Sequence, residues 1–177
     1  MVDRQEIVLV DPLSNDPRLK NVYFRKVCSP AQISVPRLAH CLGIVFHSRQ
    51  NWGVVGDLPV PTGEDIEHYR FPSLEAPISS ITPEERKTMK VLLTGATYVL
   101  NGNPIVNLAC ESYQRTVRKF VESTLAAGGF RPHMIEELYA PPNTLTHLKY
   151  NPQTAYVEIR RKNVREHMDS TTSLFLY

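Results

Sequence analysis

The sequence lacks the short motifs that usually reveal chemistry. It has no Gly-x-Gly-x-x-Gly after a strand, no Walker-type loop, no His-Glu-x-x-His and no Gly-x-Ser-x-Gly. The ready signatures of dinucleotide, nucleotide, zinc-hydrolase and α/β-hydrolase sites are therefore missing. Cys-x-x-Cys is also absent, so the structural zinc spacings fail. The three cysteines, Cys28, Cys41 and Cys110, are an odd and widely spaced set, and no Asn-x-Ser/Thr sequon occurs. With a polar start, Met1-Val2-Asp3-Arg4, these features lead us to expect a reducing, intracellular setting and no secretory signal. No apolar run approaches the roughly 18–20 residues that span a bilayer. Charge is nearly balanced. Twenty basic against 18 acidic side chains give +2, too little to mark a nucleic-acid binder or a polybasic membrane protein by itself.

What is present is a globular composition, 42% hydrophobic, with an excess of proline. The 177 residues suit one domain. Of the 14 prolines, Pro59, Pro61, Pro72, Pro77 and Pro83 crowd one stretch, and only Pro104 falls between Pro83 and Pro132. Proline interrupts ladders and helices. The chain accordingly divides into a broken front, a helical middle and a mixed back. Residues 6–10 and 21–27 read as strands, paired antiparallel across a short connection. Ser29-Pro30-Ala31-Gln32 has capping-box spacing. Leu38, Cys41, Leu42, Val45 and Phe46 recur as on a helix, over 36–48. Val54-Val55 adds a short strand. Residues 57–82 read as a Pro-rich surface loop, with the acidic group Glu64, Asp65 and Glu67. The middle reads as an antiparallel helix hairpin, about 83–100 and 104–127. Thr82-Pro83-Glu84-Glu85 starts the first helix, Asn103-Pro104 starts the second, and Gly128-Gly129 ends it. The expected packing stripe is Leu92, Leu93, Ala96, Val99, Leu108, Tyr113, Val117, Phe120 and Val121. A short helix over 132–139 and a strand over 154–160 follow, then an apolar tail at 170–177. The fold expected is α+β, a small mostly antiparallel sheet packed with the helix hairpin.

Candidate chemistry is sparse. His40, Cys41 and His47 are the nearest approach to a ligand cluster. Two histidines on one helix make no site without further ligands, so no metal, cofactor or small-molecule substrate is expected. Cys41 and Cys110 read as small core residues, which leaves no catalytic residue to name. An enzyme with an unrecognised Cys/His site stays open as an alternative. Two basic groups stand out: Arg115, Arg118 and Lys119 on the long helix, and Arg160, Arg161, Lys162 and Arg165 near the last strand. If the strand continues, Arg160 and Lys162 share one face and Arg161 takes the other. Several cations on one surface would suit a phosphate backbone or anionic lipid. Tyr113, Phe120 and Tyr156 lie close enough in sequence to stack bases, although Tyr113 and Phe120 fall on the expected core stripe. Leu174, Phe175, Leu176 and Tyr177 are expected to act in assembly, because exposed apolar area costs roughly 25 cal/mol per Å².

Taken together, the size, mild basicity, Pro-rich loops without low complexity and missing catalytic motifs resemble small structural proteins of RNA viruses, especially matrix-type proteins of plant-infecting rhabdoviruses. Pro141-Pro142-Asn143 is the nearest approach to a Pro-Pro-x-Tyr motif. The resemblance implies a self-associating virion protein in the host cytoplasm, contacting nucleocapsid protein or RNA and an anionic membrane surface. A helical coat protein and an RNA-binding accessory protein are the related alternatives.

Overall fold

The computed structural model describes residues 6–8, 24–38, 41–58, 74–97, 100 and 103–177. In chain order the strands are β1 (Glu6–Val8), β2 (Phe24–Cys28), β3 (Gln32–Leu38), β4 (Leu42–Ser48), β5 (Trp52–Leu58), β6 (Lys90–Gly95), β7 (Ile135–Tyr139), β8 (Thr144–Asn151), β9 (Tyr156–Asn163) and β10 (Asp169–Phe175). The α-helices are α1 (Glu75–Ser79), α2 (Pro83–Arg86) and α3 (Pro104–Ala127). One five-stranded sheet has the order β1-β3-β8-β9-β10 and the other β2-β5-β4-β6-β7. Among the described residues only β1–β3 and β6–β7 pair in parallel. The fold is thus mixed α+β and dominated by antiparallel sheet.

The β4-containing sheet is the middle of three layers. Leu42, Ile44, Phe46, Val91 and Leu93 pack on one side with Val117, Val121 and Leu125 of α3. Val45, Val55 and Leu92 pack on the other side with Val35, Leu148, Val157 and Ile159 of the second, outer sheet. Strands β4 and β5 are buried along their whole length. No helix among the described residues is long and apolar enough to cross a membrane.

This layering corrects the helix hairpin. Helix α3 has the expected bounds: Asn103 Oδ1 accepts from the Ile105 N–H at 3.0 Å, and Gly129 takes φ +89° just past the end. The Thr82–Glu85 capping box also forms, with Thr82 N–H donating to Glu85 Oε2 at 2.9 Å. It caps only the four residues of α2, after which the chain becomes β6. Strand β6 is buried on both faces, so it has no polar alternation, and its run of apolar residues imitates a helical stripe. The same cause applies to β4, which with the end of β3 stands where a helix at 36–48 was expected. At Ser29–Gln32 the chain makes a turn, closed by Ala31 N–H to the Cys28 carbonyl at 3.0 Å, and no helix starts. A 3-10 turn at Pro132–Met134 and strand β7 replace the short helix at 132–139. Strand β1 lies in the outer sheet and β2 in the middle one, so the two do not pair. The expected strand at 154–160 is β9. The segment 170–177 is no loose tail, since it supplies most of β10. Of the expected surface loop, residues 59–73 lie outside the described residues, as do His40 and Val99.

The expected stripe holds in part: Val117 and Val121 are buried and Tyr113 packs against the same core, whereas Leu108 and Phe120 face out. Cys110, Gln114, Val117, Val121 and Leu125 are the buried stripe of α3. Ile105 and Leu108 are 78% and 68% exposed, and Phe120 is 43% exposed. Leu125→Ala should therefore cost about 2–5 kcal/mol, whereas Leu108→Ala should stay within about 0.5 kcal/mol. Denaturant unfolding of the two variants checks the assignment.

The two sheets are also tied by a polar contact. His47 Nδ1 on β4 and the Tyr150 hydroxyl on β8 share a hydrogen bond of 2.7 Å, and that hydroxyl lies 3.4 Å from the Trp52 carbonyl. Gly53 makes this approach possible, because a Cβ there would sit 2.5 Å from the Tyr150 hydroxyl. Burial pushes the His47 pKa below its usual 6.5. The folded state thus prefers neutral His47, while the unfolded chain takes up a proton below about pH 6.5. Stability should be full above that pH and fall on acidification, by at most about 1.4 kcal/mol per pH unit from this group. Thermal melts between pH 7.5 and 5 should show a decline that is shallower in His47→Gln.

Candidate functional site

Alternation along β8, β9 and β10 separates an inward set from an outward set. Thr146, Leu148 and Tyr150 of β8 and Val157 and Ile159 of β9 are buried between the sheets. The residues between them face away from the middle sheet. Ladder registers place Leu145, Lys162 and Asp169 in one cross-strand row, and His147, Arg160 and Thr171 in the next. These six outward positions line a shallow open depression of about 450 Å³ on the outer sheet. Arg160 Nε donates to Glu158 Oε1 at 2.7 Å, on the same face. Lys162 is exposed and sits directly across from Asp169.

The two basic groups do not form one surface. Arg115, Arg118 and Lys119 belong to the helical layer, and Arg160 and Lys162 to the opposite outer face of the stack. Within each group the side chains have different jobs. Arg118 donates to the Ala96 carbonyl at 2.6 Å, and its guanidinium lies 4.1 Å from the centre of the Tyr139 ring. Arg161 points inward, as strand alternation requires, and donates to the Leu138 carbonyl at 2.7 Å, joining β9 to β7 across the sheets. Burial lowers its pKa. Arg165 donates to the Leu100 carbonyl from the β9–β10 turn. Arg115 pairs with Glu111 at 2.7 Å along the exposed side of α3. Lys119 is exposed.

The four expected assembly residues divide as well. Leu176 is buried in the inter-sheet core and Leu174 packs against that core. Phe175 and Tyr177 face outward, 55% and 75% exposed, with rings stacked 5.3 Å apart and 6° from parallel. Tyr156 on β9 joins them, 5.4 Å from Phe175, with its hydroxyl 2.8 Å from Ser173 Oγ. His147 and Thr171 escaped sequence reasoning because β8 and β10 were not read as strands. The alternation Thr144-Leu145-Thr146-His147-Leu148-Lys149 was the available signal.

Cys41, just before β4, is a core residue beside the outer sheet, and His47 of β4 meets Tyr150 there. Among the described residues no group of three His, Cys, Asp or Glu side chains is placed to hold a metal ion. No protein-family model matches the chain, and comparison with curated proteins finds no sequence match.

The geometry separates structural from available cations. Arg118→Ala and Arg161→Ala should each cost about 1.5–3 kcal/mol, the scale of a hydrogen bond from a charged donor. Arg160→Ala and Lys162→Ala should leave the melting temperature nearly unchanged. Comparing the four melts checks this.

Proposed function

We propose that the protein is a non-enzymatic structural protein that assembles with copies of itself. One observation carries the reading. Of the seven large hydrophobic side chains most exposed among the described residues, Val164, Met168, Phe175 and Tyr177 all belong to the β9–β10 turn, β10 or the residues just after it. Scattered single apolar residues need no explanation, but a group along one sheet edge marks a contact surface. A matrix- or coat-like role is the form of this reading that the compositional resemblance implies.

The depression on the outer sheet favours a second reading, an RNA-binding accessory protein. Arg160 and Lys162 there place two positive charges and His147 an imidazole ring on a concave surface, beside the carboxylates of Glu158 and Asp169. The two readings are compatible, since an assembling protein gains avidity for a polyanion by repeating a weak site. Self-association through apolar and backbone contacts should persist in high salt, whereas RNA or anionic lipid should be released by it.

Light scattering over a range of concentrations, at about 50 mM and 500 mM salt, tests the assembly. A mass above that of one chain at both salts is expected, and a monomer at every concentration would overturn the reading. Arg160→Glu with Lys162→Glu should abolish RNA retention in low salt and leave the assembled mass unchanged.

A further inference from the structure

Among the described residues four strands border the two sheets, and β2, β7 and β10 are guarded unequally. Strand β2 carries Arg25 and Lys26, and β7 carries Glu136 and Glu137. Charge is a usual protection of a sheet edge. Strand β10, Asp-Ser-Thr-Thr-Ser-Leu-Phe, has seven residues, no proline, no lysine and a single charge at its first position. Among the described residues it pairs only with β9.

Which of its backbone groups are available follows from two hydrogen bonds. The Met168 carbonyl accepts from Asn163 N–H at 2.8 Å, and Leu176 N–H donates to the Ala155 carbonyl at 2.9 Å. Both bonds run toward β9. In an antiparallel ladder the N–H and C=O of one residue point the same way, and the direction alternates along the strand. Ser170, Thr172 and Leu174 therefore face β9. Asp169, Thr171, Ser173 and Phe175 present their N–H and C=O groups on the other edge.

We infer that the partner on this edge is β10 of a second copy, paired antiparallel about a two-fold axis through Thr172. The inference rests on the assembly reading above and specifies its contact. In this register Thr171 meets the partner's Ser173 and Asp169 meets the partner's Phe175, and all four residues have edge-directed backbone groups. An axis between two residues would set edge-directed groups against groups committed to β9. Exposed apolar side chains lie at both ends of the strand, Phe175 and Tyr177 on the outward face at one end and Val164 and Met168 (66% exposed) at the other. Outward residues stay outward across the junction. The outer sheet then continues through both copies, and both basic depressions open on the same side.

The test uses the full chain. Thr171→Pro removes an edge N–H that no bond to β9 needs, so the fold should persist and the dimer should be lost. Thr172→Cys, in a Cys28→Ser background, places two thiols opposite each other in a non-hydrogen-bonded pair, where Cα atoms are about 4.5 Å apart, within disulfide reach. Mild oxidation should link it into a covalent dimer. Ser170→Cys in the same background should not link, because its symmetry mate is four residues away, roughly 13 Å along the strand. A parent protein that is monomeric throughout would overturn both this inference and the assembly reading. A parent that assembles, with an unaffected Thr171→Pro variant and no Thr172→Cys link, would overturn the β10 contact alone and leave assembly to another surface.

Discussion

Strands β4, β5 and β6 are covered by the outer sheet on one side and by α3 on the other. Their side chains are accordingly mostly apolar on both faces, and their backbone groups find partners within the ladder, as buried groups must. This double burial places every other element. Helix α3 buries the stripe from Cys110 to Leu125 because that is the face the middle sheet can cover. The outer sheet turns Leu148, Val157 and Leu176 inward for the same reason. Arg118 and Arg161 belong to this framework, since each carries its charge to a backbone carbonyl at the margin of a layer.

Legibility in the sequence follows from the same constraint. Elements with one wet face were readable. The strand nature of residues 156–160 shows in the alternation of Val157 and Ile159 with Glu158 and Arg160. The bounds of α3 are written by Asn103, Pro104 and the two glycines that follow Ala127. Elements with no wet face were not readable. Val91-Leu92-Leu93 divides its side chains between two cores, Leu92 toward the outer sheet and its neighbours toward α3. The pattern offers period analysis neither alternation nor a polar face. The Thr82–Glu85 cap formed as its residues dictate, yet a cap specifies where a helix starts and not how long it runs.

The candidate sites show the same division. Arg160 and Lys162 were found because one strand carries both on its outer face. His147 and Thr171 required the pairing of three strands, a non-local fact that no single segment records. The apolar tail was recognisable as a burden, but its division into inward Leu174 and Leu176 and outward Phe175 and Tyr177 depended on its being a strand. That division converts a supposed arm into an edge. An arm would reach for a groove on a neighbour, whereas an edge can be completed by an identical edge.

Amide hydrogen exchange along β10, measured as the protein is diluted, reads that completion directly. Ser170, Thr172 and Leu174 donate to β9 and should remain protected at every concentration. Thr171, Ser173 and Phe175 should be protected when the protein is concentrated and should exchange freely on dilution. Equal and fast exchange of these three amides at all concentrations would contradict an edge shared between two copies.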